Sequence, residues 1–259
     1  MRRIQVVCLL ALALAVPGAM AQTTQTPNPP TSAPLAANLV DPGTMQALKD
    51  MGAHLQTLER FRVKTEVAGE RVLADGQKLQ HTARADLDVA RPDRLRASML
   101  SPRSERLLYF DGKSVAFSTP AQKSYSTVEF NGNLGDLAEQ LQDRFGVEIP
   151  LVDLFRWGTP RAPLDNIESA MNAGQDFIGD ELCNHYAIRQ GQFDWQVWIT
   201  AGKQPLPRKI VITSRADEAR PQSVSMISWD LKPSFKDAVF KFTPPKGSVR
   251  AEIVPRKTN

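Results

Sequence analysis

Cys183-Asn184-His185, with Asp180 and Glu181 just upstream, is the sharpest chemical cluster in the chain. On a strand, residues two apart point to the same side, so this thiol and imidazole could share a metal or form a thiolate–imidazole pair. Both chemistries need a third group, and the spacing supplies none. The plainer alternative is a small buried thiol beside a half-exposed ring, because free cysteine packs as a small hydrophobe. His54 and His81 fall on other elements, outside any zinc-ligand spacing. No Gly-x-Ser-x-Gly elbow, phosphate-binding loop or dinucleotide fingerprint is present. The residue types therefore predict no catalytic residues, no metal and no cofactor.

Aromatic residues carry the stronger signal. The last third of the chain runs through Trp195-Gln196-Val197-Trp198-Ile199, Pro205-Leu206-Pro207-Arg208-Lys209-Ile210-Val211-Ile212 and Met226-Ile227-Ser228-Trp229-Asp230. It closes on Phe240-Lys241-Phe242-Thr243-Pro244-Pro245-Lys246-Gly247, and all four segments read in strand-like order. Trp195 and Trp198 face opposite sides of their strand, so each face receives a large ring. Such a surface must be covered, either by the protein's own core or by a greasy ligand.

The elements that would position these residues follow from periodicity. Asp41 as N-cap and Pro42 at the first helical position open a helix. Its stripe of Met45, Leu48, Met51, Leu55 and Leu58 ends near Glu59. The period then changes to two. Phe61, Val63, Thr65 and Val67, a turn at Ala74-Asp75-Gly76, and Leu79 to Val89 predict a long antiparallel hairpin with one dry face. Arg91-Pro92-Asp93 turns the chain into Leu95, Ala97 and Met99. Further strands are predicted at 106–110, 114–118 and 124–129, with Asp111-Gly112 as a tight turn. Leu134, Leu137, Leu141 and Phe145 form a second helical stripe, followed by the apolar run Leu151–Trp157. Strand patterns resume around Phe177 and at 185–189, 195–200, 209–213 and 223–230, which places all the strands in one sheet.

Arg2 and Arg3 before an apolar run from Ile4 to Val16, then Ala19-Met20-Ala21, read as an export signal cleaved after Ala21. The run is too short to span a bilayer. Residues 22–40 are expected to be a disordered tether, because Thr, Pro, Gln and Ser bury too little to offset ordering entropy. That leaves 41–259 as a single domain. The formal charge is only +4, and Arg2 and Arg3 leave with the signal, so nothing favours nucleic acid. Cys183 then has no partner for an internal disulfide, and the fold must rest on an apolar core.

The W-Q-V-W-I, L-P-R-K-I-V-I-T, W-D-L and F-x-F-x-P-P-x-G wording, read with the export signal, first helix, meander and helical insert, resembles a family of predicted periplasmic proteins. That family is similar to the superfamily of lipoprotein-localisation carriers, LolA and its relatives. The resemblance covers about Pro42 to Val254 and is strongest from Leu182 to Gly247. It implies an α+β fold, a strongly curved antiparallel sheet forming an unclosed half-barrel with helices packed in its mouth as a lid. It also implies a cavity between sheet and lid, lined by Val63, Val67, Leu87, Leu95, Met99, Phe117, Leu137, Leu141, Phe145, Leu154, Trp195, Trp198, Met226 and Trp229. The expected ligand is a lipid or acyl chain, carried in the periplasm by a monomer. An envelope protein partner, with no cargo in the cavity, is the alternative.

Overall fold

The computed structural model describes residues 39–145 and 151–252, without the side chains of Gln142, Arg144 and Phe145. The expected export signal and nearly all of the tether lie outside the described residues. Val40 already pairs in parallel with Ala170, so order begins ahead of Asp41. Helix α1 (Pro42–Thr57) starts as its residue types dictate. The Asp41 carboxylate accepts from Thr44 N and Thr44 Oγ1, each at 2.7 Å. Helix α2 (Leu134–Phe145) carries a reciprocal cap. Asn133 Oδ1 accepts from Asp136 N at 3.0 Å, and Asp136 Oδ2 accepts from Asn133 N at 3.1 Å.

Twelve strands form one sheet among the described residues. The first half comprises β1 (Arg60–Val72), β2 (Lys78–Ala90), β3 (Arg94–Ser101), β4 (Ser104–Phe110), β5 (Ser114–Thr119) and β6 (Ser124–Glu129). The second comprises β7 (Ile167–Ile178), β8 (Glu181–Gln190), β9 (Phe193–Thr200), β10 (Pro207–Ser214), β11 (Gln222–Asp230) and the two-residue β12 (Val249–Arg250). Their spatial order is β12-β6-β5-β4-β3-β2-β1-β11-β10-β9-β8-β7. Two meanders thus meet where β1 pairs with β11, antiparallel from Arg62 opposite Asp230 to Gly69 opposite Ser223. The end strands β12 and β7 do not pair with one another, so the half-barrel stays open. Among the described strands, every strand-to-strand pairing is antiparallel except β12 beside β6.

Alternation decides which face is dry. One inner row crosses six strands as Trp229, Val63, Leu87, Ala97, Leu108 and Phe117. The next runs Phe61, Val89, Leu95, Phe110 and Val115. On this face α1 lays Leu48, Met51 and Leu55, α2 lays Leu134, Leu137 and Leu141, and a 3₁₀ turn at Val152–Phe155 adds Leu154 and Phe155. All belong to one buried cluster. Burying such side chains contributes about 1.5–3 kcal/mol each before chain entropy is counted.

The last segment departs from the alternation read in its sequence. Asp237–Phe240 is a 3₁₀ turn, and no strand follows before β12. The segment straps the outer face of the first meander. Phe240 is fully buried there with Phe235 edge-on at 5.5 Å, while Phe242 lies 5.3 Å from both Tyr109 and Tyr125. Aromatic side chains found partners on the strands beneath, which removed the need for a ladder of their own.

Candidate functional site

The cysteine–histidine cluster holds no reactive constellation. Cys183 and His185 share a face of β8, but Cys183 is wholly buried with Trp198, Ile178 and Val211, and burial pushes its thiol pKa up. Its Sγ donates only to the Glu181 carbonyl, at 3.7 Å. His185 Nε2 bonds Gln196 Oε1 at 2.9 Å, and Nδ1 lies 3.6 Å from Asp176. A nucleophilic cysteine needs the opposite setting, an exposed thiol with a lowered pKa. Among the described residues, no group of three or more His, Cys, Asp or Glu side chains is placed to hold a metal ion.

The space between sheet and helices is the second candidate, and the structure sorts its expected lining into three sets. Val63, Leu87, Leu95, Leu137, Leu141 and Leu154 face this space and are buried in the main cluster. Val67, Met99, Phe117, Trp195 and Trp229 lie on the same face, half-buried at its margins. Trp195 touches the helical layer at Trp157, with ring centroids 6.2 Å apart, and its N–H donates to Gln190 at 3.0 Å. Trp229 packs on Phe61 and donates to the Pro207 carbonyl. The Phe145 side chain lies outside the described residues.

Trp198 and Met226 fall on the other face. Trp198 belongs to the Cys183 cluster rather than the main one, and Met226 stands opposite Lys209 and Glu66. Each is one residue out of phase with an inner neighbour, Val197 or Ile227, and a period of two puts such neighbours on opposite sides. Met226 instead borders an outer concavity of about 690 Å³, with Leu100 and the charged pair Glu66 and Arg84. Neither side chain belongs to the inner lining.

At its centre the inner space is filled. Val63, Leu87 and Leu95 each have 0% of their surface accessible, so no water-sized void borders them. The expected cavity is therefore occupied by the helices' own leucines, methionine and phenylalanine. An open concavity lies instead at the rim of the helical layer, with a volume of about 490 Å³. It is bounded by Gln56 at the end of α1, Arg91 and Pro92 in the β2–β3 turn, Asn133 to Asp136 at the start of α2, and Phe155, Arg156 and Thr159 to Arg161. Its arginines were not legible as a group, because they come from separate turns brought together by packing.

Fold and site together define an open half-barrel with an apolar inner face under a helical layer. The chain belongs to the family described as predicted periplasmic protein (DUF2092), whose model matches residues 44–254. Among solved structures, it is similar to LprF from Mycobacterium bovis at 14% identity and a TM-score of 0.46, covering 82% of this chain and 100% of that one. It is also similar to the lipoprotein LppX from Mycobacterium tuberculosis, at 10% identity and TM-score 0.39, covering 75% and 98%. A LolA superfamily protein from Nitrosomonas europaea is similar at 11% identity and TM-score 0.34, covering 77% and 97%. No curated protein matches the chain.

Proposed function

We propose that this protein is a periplasmic carrier or binding protein for an amphiphile, a lipid or the acyl chains of a lipoprotein, and performs no catalysis. The observation that carries this reading is the unbroken inner row from Trp229 to Phe117, six apolar positions across six strands, covered by separate helical pieces rather than by a second sheet. Those pieces bury Leu, Met and Phe, side chains that repack at low cost compared with β-branched ones. Uptake is then an exchange. An entering chain gains about 0.8 kcal/mol per buried CH₂ and displaces lid side chains that had the same benefit. Net affinity is the difference, which suits a carrier that must also release.

Native mass spectrometry and lipid extraction of the purified protein test the reading, together with quenching by a brominated fatty acid. Retained lipid, with quenching of Trp157 and Trp195 and sparing of Trp198, is the expected result. A protein that neither retains nor binds any lipid would end it.

The zero accessibility of Val63, Leu87 and Leu95 favours a second reading, an envelope interaction module of the same fold with no cargo. One stable protein partner recovered in a pull-down, with no lipid, is its signature.

A further inference from the structure

The rim concavity is unusual in its charge. Arg91 lines it, yet has no carboxylate partner among the described residues; its one side-chain bond runs from Nη2 to the Leu55 carbonyl at 3.3 Å. Its Nε is buried and has no partner at all. Burial lowers the pKa of this guanidinium, the direction expected when a cation is desolvated without a counter-charge. Arg156, on the same wall, also has a buried Nε without a partner, and reaches Asp153 only at 3.6 Å. The third arginine, Arg161, is paired through Nη1 with Asp136 at 2.6 Å and Glu139 at 3.2 Å. Asp136, the one carboxylate in the lining, is thereby neutralised. Two arginines therefore line about 490 Å³ of open space, Arg91 with no carboxylate opposite it among the described residues and Arg156 with only a distant one.

A partly buried cation with nothing opposite it is unfavourable unless an anion is supplied. Guanidinium groups answer phosphate or carboxylate with paired, charge-assisted hydrogen bonds. The volume falls within the range of small-ligand sites, roughly 300–1,000 Å³. The floor of the concavity includes Leu134 and Phe155, which are also members of the main apolar cluster. A ligand with its anion at Arg91 would thus have its chain pointing at the space beneath the helices.

We propose that this rim concavity binds the anionic headgroup of the cargo, a phosphate or carboxylate, through Arg91 with support from Arg156. The assignment rests on the amphiphile reading above and adds the class of headgroup.

The test is titration of the full chain with dioctanoyl phosphatidylglycerol, with dioctanoylglycerol of the same acyl length, and with inorganic phosphate. The anionic lipid is expected to bind about tenfold more tightly than the neutral one, the size of one charge-assisted hydrogen-bond set. Arg91→Gln should remove that preference and leave dioctanoylglycerol binding unchanged, and Arg156→Gln should weaken it. Phosphate should bind weakly and compete with the anionic lipid only. Equal binding of the two lipids, or a preference that survives both substitutions, overturns the headgroup assignment while leaving the amphiphile reading in place. Phosphate binding as tight as that of the anionic lipid also overturns it, because the ligand would be a free anion. Failure to bind either lipid refutes the amphiphile reading itself. If Arg91→Gln does not fold, Arg156→Gln and phosphate competition decide the outcome.

Discussion

His185 lies flat against Trp198, with ring centroids 4.0 Å apart and planes 9° from parallel. The stack sits on the sheet face turned away from the helices, where Lys209 Nζ lies 4.3 Å from the same indole centroid and the indole N–H donates to Asp176 at 2.8 Å. What reads as a reactive triplet in the sequence is thus one edge of a packed aromatic clasp. Trp198→Ala is expected to lower stability by about 3 kcal/mol, as large-to-small changes of buried aromatics do. Chemical denaturation measures this loss. Amphiphile binding by the folded variant should be unchanged, whereas Trp195→Ala, on the inner face, should weaken it. The reverse pattern would contradict the assignment of faces.

Cys183 supplies a separate check. Its buried thiol, with a raised pKa, stays protonated to higher pH than an exposed one, and the thiolate is the reactive form. Iodoacetamide at pH 8 should label the native protein slowly and the denatured protein fast. Equal rates in the two states would revive a nucleophilic role.

Gly52 of α1 and Gly158 meet backbone to backbone. A Cβ at Gly52 would lie 2.5 Å from Gly158 N, and Gly158 itself has φ +77°. Alanine at 52 gains about 1 kcal/mol of helix propensity over glycine, while overpacking against a rigid backbone costs about 1–3 kcal/mol. Gly52→Ala should therefore be destabilising on balance, with faster hydrogen exchange in α1 than in β1–β4. A more stable variant would show that this contact is loose.

Asp88 is almost fully buried on the outer face, directly between its register partners Arg62, at 2.5 Å, and Arg96, at 3.5 Å. Asp88→Asn keeps the shape and removes the charge, leaving two cations side by side. The expected cost is about 2 kcal/mol, less than for fully buried pairs because both arginines keep a third of their surface in water. Urea midpoints of the variant and of Arg96→Gln would show whether the three charges act as a unit.

Acid should weaken the fold in a defined window. The Asn133 N–H and the Arg161 guanidinium hold the Asp136 carboxyl below the usual range, and Arg189 does the same for Asp194. A carboxylate with a lowered folded pKa stabilises above its unfolded value, near 4. That contribution is lost as pH falls through the folded value. Thermal midpoints should be flat near neutrality and drop below about pH 4, less steeply in Asp136→Asn and Asp194→Asn.

Local chemistry was legible wherever it acts over a few residues. Asp41 and Pro42 announced α1, the Val63–Val67 and Leu79–Val89 alternation announced the long hairpin, and Asp111-Gly112 announced a turn. Phe240 to Phe242 misled, because alternating aromatics look alike whether they join a ladder or lie across one. The cap shared by Asn133 and Asp136 is a four-residue signature in the sequence, Asn followed three residues later by Asp. Trp195 and Trp198 cannot share one lining, because a period of two puts them on opposite faces of β9.

By itself the sequence determined most of the elements and the dry faces of the long strands, because periodicity, caps and residue chemistry are local properties. Only the tertiary structure decided that β1 joins β11, that leucines of the lid fill the centre, and that Arg91, with no carboxylate partner among the described residues, stands beside Arg156 at one concavity. Those outcomes depend on which surfaces meet between separate elements, and no spacing along the sequence encodes the distance between two turns.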